Sequence, residues 1–478
     1  MKRSSGVLMH ITSLFGEYSI GSFGQEAKEW IDFLADCGFS WWQVLPFCPI
    51  DECNSPYQSH SAFGGNPYLI DLPRLWQQGL LTEEELERQR QQTPYCCEYT
   101  RLYHNRLELL RTAAGRAQNR QEIIRWAEQH PYLQQFCRFM SLKEANQNRP
   151  WQEWTVQTGD EDTFFLWQFI QFHFMNQWQE IKEYANQKGI RILGDVPIYV
   201  ALDSADVWGN REQFWLDERG MPEAVAGVPP DYFSPEGQHW GNPLYRWDVM
   251  EKTGYQWWCD RMKHMLTMFD GVRLDHFRGF EAYWAIPAQT PSAKNGSWQK
   301  GPGSKLIEKF RQIAGDRLIV AEDLGEITPQ VERLVQESGF PGMRVIQFGF
   351  LNEGDSPHRP HHYCNNTVAY TGTHDNNTLL GFLWELEADK KKTMLEYCGY
   401  TDPDWERGFD SVVRTLFASG AGLVILPVQD LLKYGSDTRL NIPGKADGNW
   451  QYRMTREQLQ SIDRSYWRRL NQLYSREL

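Results

Sequence analysis

Acidic side chains recur where short apolar runs of this sequence end. Asp195 stands in GDVPIYV, Arg273 and Asp275 in FDGVRLDHFRGF, Glu322 and Asp323 in VAEDLG, and His374 and Asp375 in YTGTHDN. Carboxylates gathered with an arginine and a histidine suit few reactions. Cleaving a glycosidic bond needs one ionised carboxylate and one protonated acid flanking the bond. Metal-assisted chemistry also combines carboxylates with histidine. Arg273 and Asp275 are two positions apart, so on a strand they point to the same side. An arginine so placed keeps its neighbouring carboxylate ionised. One acid at one strand end could merely cap a following helix. The same pattern at four strand ends argues for a shared site.

These residues need elements that bring them together. Eight apolar, β-branched runs read as strands: Gly6–Ile11, Trp41–Pro46, Ile190–Pro197, Gly271–Asp275, Leu318–Asp323, Met343–Phe348, Thr367–His374 and Gly422–Asp430. Helical patterns lie between several of them, at Gln25–Cys37, Gln256–Met268, Gly303–Ala314 and Pro329–Ser338. Strand–helix alternation implies a parallel sheet, and eight units imply a closed (β/α)₈ TIM barrel of the α/β class. In such a barrel the C-terminal strand ends carry the chemistry. The spacing is uneven. It predicts one decorated barrel over residues 1–478, with large, mainly helical insertions at about 73–174, 201–247 and 379–418. No internal repeat or Gly/Ser linker divides the chain.

Composition narrows the partners. The chain has 478 residues, with Lys plus Arg 49 and Asp plus Glu 62, a net charge of −13. That sign disfavours nucleic acid and anionic membrane surfaces. No apolar run approaches the roughly 18 residues of a membrane span. The basic start MKRSSG leads into no sustained apolar stretch, and the nine cysteines form no CxxC pair, which predicts a reduced, cytoplasmic protein. Aromatic residues reach 14%, with 21 Trp, 21 Tyr and 25 Phe. Flat rings suit the apolar C–H faces of sugars, although a large aromatic core would look the same.

The four strand-end motifs resemble those of the amylomaltases, the 4-α-glucanotransferases (disproportionating enzymes) of the α-amylase clan. The resemblance runs almost end to end, through GVLMHITSLFGEYSIGSFG, WWQVLPF, NSPYQSHSAFGGNPYLIDL, VAGVPPDYFSPEGQHWGNPLYRWD, FEAYWAIPA and RLNIPG. It implies that Asp275 is the nucleophile, Glu322 the general acid and then base, and Asp375 the carboxylate that stabilises the transition state. It implies further that Arg273 orients Asp275, that His374 and Asp195 bind sugar hydroxyls, and that Tyr57 stacks on the sugar. It makes GVPPDYFSPEGQHW a lid over the acceptor side, with Tyr232, Phe233, Gln238 and Trp240 as substrate contacts. Phe348 matches an acceptor-side aromatic, and Asn441 a position near the site.

The implied activity is retaining transfer of α-1,4-glucan segments between maltooligosaccharides, without cofactor or metal. A hydrolase of the same clan would use the same three acids, and a non-catalytic glucan-binding protein would keep the aromatics but lose an acid. His358, His361 and His362 in HRPHHY read as an exposed loop rather than a metal centre. No Walker loop, HExxH or GxSxG elbow occurs.

Overall fold

Eight short parallel strands close on themselves: Ser4–Leu8, Trp41–Gln43, Arg191–Val196, Gly271–Leu274, Leu318–Ala321, Gly342–Val345, Thr367–Tyr370 and Leu423–Pro427. The first pairs with both the second and the last, which completes the barrel. The computed structural model describes residues 1–50, 53–230, 236–402, 405–445 and 447–477. Each of the eight expected runs contains or overlaps one barrel strand.

Alternation along each strand sets what faces where. Leu193, Val320, Met343, Val345, Val368, Tyr370, Leu423 and Ile425 form one buried cluster, which fills the barrel. Their strand neighbours Ile192, Val272, Ile319, Ala369 and Val424 belong to another, between strands and helices. Arg273 alternates with Val272 and Leu274, so it joins the inward set. Asp195 follows Leu193 at the same spacing, and Glu322 follows Val320. Period two therefore delivers all three charged groups to the barrel's interior at its C-terminal mouth.

The helices follow local chemistry. Pro329–Ser338 begins where the Thr328 side chain accepts the Val331 N–H and proline occupies the first turn, and it stops at Gly339, whose φ is +72°. Gln25–Asp36 buries Ala27, Trp30, Ile31 and Leu34, a helical stripe turned to the barrel.

Between the second and third strands stand the helices Leu72–Gln77, Glu83–Glu87, Tyr99–Gly115, Arg120–Glu128, Pro131–Ala145 and Glu161–Gln187. The last is capped by Asp160, which accepts the Thr163 N–H at 2.7 Å. It runs unbroken through residue 174, the expected end of the first insertion, and feeds directly into the third strand. Its buried face, including Phe165, Phe169 and Trp178, is continuous from the insertion to the barrel wall.

Residues 201–247 hold more than helix. The strands Ala224–Val228 and Gln238–Pro243 join Ala282–Pro287 and Ser297–Lys300 in a four-stranded antiparallel sheet. Half of this sheet comes from after the fourth barrel strand, where no inserted strands were expected. Short strands paired across distant segments leave little signal in either segment alone. After the seventh strand come the helices Leu379–Glu385, Ala388–Tyr397 and Phe409–Ala418. No helix of the described residues is long and apolar enough to cross a membrane.

Candidate active site

Arg273 is the hub of the barrel mouth. Its side chain is 4% exposed, and its Nη1 lies 2.9 and 2.8 Å from the two Asp195 oxygens and 2.9 Å from Asp275 Oδ1. Its Nε donates to Met343 Sδ from below. Burial opposes the guanidinium charge, but Asp195 and Asp275 outweigh it and raise the Arg273 pKa. Burial pushes the Asp195 carboxyl up, with Arg273 opposing. The Tyr57 hydroxyl donates to Asp195 Oδ2 at 2.9 Å.

Glu322 has a different environment. Burial raises its pKa to about 8; Arg273 opposes the shift and the Asp275 charge adds to it. Two backbone amides fix its orientation: His276 N–H donates to Oε2 at 2.7 Å and Leu324 N–H to Oε1 at 2.9 Å. His276 can present its amide because it adopts a left-handed conformation, φ +48°, directly after Asp275. The site thus sets a carboxyl clamped by an arginine beside one whose pKa burial pushes up to about 8, two carboxyls whose environments differ. The neighbouring Asp323 faces away. It accepts the Met343 N–H at 2.7 Å and pairs with Arg344 at 2.9 Å, a fastening between the fifth and sixth strands.

His374 and Asp375 enter from the seventh strand. Asn441 Nδ2 donates to Asp375 Oδ1 at 2.6 Å, and His374 Nε2 lies 3.2 Å from Oδ2. Burial opposes ionisation of Asp375, yet His374 and Asn441 bring its pKa down to about 2. The His374 ring stacks on Tyr57, centroids 5.1 Å apart at 17°. Trp450 lies 5.9 Å from both rings. Three rings from three distant segments therefore stand together beside Asp195 and Asp375.

The loop 371–379 that carries these groups is pinned from both sides. Gln347 Nε2 donates to the Thr371 and Asn377 carbonyls at 2.8 and 2.9 Å. Asp430, beyond the last strand, accepts from Thr371 Oγ1 at 2.5 Å and from the Leu379 N–H at 2.8 Å.

Of the expected site residues, Tyr57, Asp195, Arg273, Asp275, Glu322, His374, Asp375 and Asn441 form this connected cluster. Gln238 and Trp240 lie on the strand Gln238–Pro243, with Trp240 Nε1 donating to Gln238 Oε1 at 3.1 Å. The Trp240 ring meets His276 edge-on at 4.9 Å, which sets it one residue from Asp275. Phe348 packs on the barrel cluster and meets His358 edge-on at 5.4 Å. Tyr232 and Phe233 lie outside the described residues. His358 departs from the expected exposed loop: it turns inward, its Nδ1 accepts the Val345 N–H at 3.2 Å, and burial lowers its pKa to about 4. His276, Trp450, Gln347 and Asp430 were not foreseen. Two of them carried a signal: His276 adjoins Asp275 in RLDHFRG, and Asp430 ends the apolar run Gly422–Asp430.

Comparison with known proteins agrees with this geometry. A family model described as 4-α-glucanotransferase matches residues 9–459. The 4-α-glucanotransferase of Synechocystis sp. is 41% identical over 503 residues, covering 100% of this chain and 99% of the relative. That of Thermus thermophilus is 42% identical over 475 residues, 95% of each. The amylomaltase of Streptococcus agalactiae in complex with acarbose superposes with a TM-score of 0.95 at 38% identity over 100% of both chains. The amylomaltase of Corynebacterium glutamicum, at 18% identity, covers 99% of this chain and 75% of its own with a TM-score of 0.81, a likeness of fold. The barrel, its loaded mouth and these relatives together place the chain in the 4-α-glucanotransferase family, to which it belongs.

Proposed function

We propose that this enzyme moves α-1,4-glucan segments between maltooligosaccharides with retention, by double displacement. The observation that carries the reading is the contrast between Asp275, held by Arg273 at 2.9 Å, and Glu322, whose pKa rises to about 8. Glu322 gives its proton to the glycosidic oxygen as Asp275 attacks the anomeric carbon, and the reducing-end fragment leaves. The 4-hydroxyl of an acceptor glucan then loses its proton to Glu322 and displaces Asp275. Asp375, ionised far below neutral pH, stabilises the positive charge that develops on the ring. His374 and Asp195 bind hydroxyls of the sugar in the cleaved position, and Tyr57 supplies the stacking face. The Streptococcus agalactiae relative was solved with acarbose. A sugar chain is the ligand class that suits aromatic rings set beside carboxylates.

By the family resemblance, Trp240, Gln238 and Phe348 serve the acceptor side. Keeping water from the glycosyl-enzyme favours transfer over hydrolysis. Incubation with maltotriose alone tests the proposal. A ladder of longer glucans plus glucose, with no net gain in reducing ends, is the expected outcome. Short sugars with rising reducing ends would make the enzyme a hydrolase instead.

A further inference from the structure

We propose that Asp355, His361 and His362 form a binding site for a divalent transition-metal ion of the zinc, nickel or copper type, outside the sugar cleft. The three residues sit on the connection between the sixth and seventh barrel strands. Sequence spacing singled out only the histidines; folding adds the carboxylate. The turn Pro360–His362 presents two consecutive imidazoles side by side, centroids 4.1 Å apart. Both aim Nε2 at one carboxylate: His362 Nε2 lies 2.7 Å from Asp355 Oδ2, and His361 Nε2 lies 3.3 Å from Oδ1. All three donors fall within 4.8 Å of one another. Nitrogen and oxygen ligands about 2.0–2.2 Å from a zinc-like ion lie about 3.4 Å apart around a tetrahedron. Small side-chain rotations bring the trio to that spacing.

The surroundings hold the donors in place. The Tyr397 hydroxyl sits 2.9 Å from His361 Nδ1 and accepts the His361 backbone N–H at 2.9 Å, so the ring's outer nitrogen is held while Nε2 faces Asp355. Such an outer partner is what orients a metal-binding imidazole. The Ser356 N–H donates to Asp355 Oδ1 at 2.9 Å. The side chains are 61%, 49% and 42% exposed for Asp355, His361 and His362, so an ion reaches them from solvent and keeps water at its open positions. Two imidazoles and one carboxylate select a borderline ion over calcium or magnesium, which prefer six or more oxygens. An ion here joins residue 355 to residues 361–362. That braces the loop whose inner side carries His358 against Phe348.

The test is calorimetric titration of chelator-treated protein with Zn²⁺, and of a parallel sample with Co²⁺ followed by its visible absorbance. One equivalent should bind. Asp355→Asn, His361→Gln and His362→Gln should each weaken binding tenfold or more, and the double histidine variant should lose the cobalt band. Transferase activity in metal-free buffer should stay at the wild-type level in all of them, which reports an intact fold. Saturable binding that survives the double variant, or no saturable binding, overturns the proposal. A tenfold excess of Ca²⁺ displacing the ion also overturns it, as that would indicate an oxygen-dominated site.

Discussion

At the scale of single residues, Asp275 and Glu322 differ by environment rather than by type. Asp275→Asn leaves the Arg273–Asp195 pair intact, at 2.8 Å, so the fold should survive while turnover falls roughly 10⁴-fold or more. Steady-state kinetics with maltotriose, beside a thermal melt, checks both halves. Glu322→Gln should lose about 10²–10⁴-fold on maltooligosaccharides. With a donor bearing fluoride as leaving group, its first step should recover, because that step needs little acid help. The pH dependence has a definite sign. Glu322 is raised from 4.5 to about 8, so the folded protein holds that carboxyl's proton below that pH and loses it above. Donor cleavage should fall about tenfold per unit above pH 8, and an alkaline limb well below pH 7 would contradict the acid's assignment. Asp275, Arg273, Glu322 and Asp375 were legible in the sequence, because each lies within one contiguous motif at a strand end. The resemblance of VAEDLG implies Glu322 rather than Asp323 as the acid. The pleat, which sends Val320 inward, brings Glu322 to the mouth, while Asp323 fastens Met343 and Arg344.

At the scale of elements, the loop 371–379 depends on its two clamps. Asp430→Ala removes the acceptor for Thr371 Oγ1 and the Leu379 N–H, leaving two buried donors unpaired. Such a change costs about 1–3 kcal/mol per group. Loosening the loop displaces His374 and Asp375, and a misplacement near 1 Å costs up to about 10²-fold in rate. We therefore expect Asp430→Ala to lower kcat more than it raises KM, and Asp430→Asn, which keeps an acceptor for Leu379, to recover most of the loss. Equal activity in wild type and Asp430→Ala, measured at a temperature where both are folded, would remove the clamp from the account. Strand and helix positions were largely readable, since the periodicities that define them are local. The sheet formed by Ala224–Val228, Gln238–Pro243, Ala282–Pro287 and Ser297–Lys300 was not, because its register is a property of pairs far apart in the chain.

At the scale of the whole molecule, the two ends of the chain meet where the first and last barrel strands pair. The buried Arg476 guanidinium donates to the carbonyls of Phe417, Ser4 and Ser419 at 2.9, 3.0 and 3.2 Å. Arg3 bonds two of the same carbonyls, Ser419 at 2.8 Å and Phe417 at 3.0 Å. Arg476→Ala should cost about 1.5–3 kcal/mol, as a hydrogen-bonded charge does. A lower melting temperature with unchanged kcat per folded molecule is the expected pair of results, since the substitution lies at the barrel end opposite the acids. The sequence by itself determined the barrel, the family resemblance and the strand-end acids, because hydrophobic period and contiguous motifs are written in neighbouring residues. Tertiary structure alone decided that Tyr57, His374 and Trp450 stand together and that Asp430 and Gln347 pin the loop 371–379. Those are contacts between segments whose separation along the chain carries no signal until the backbone folds them together.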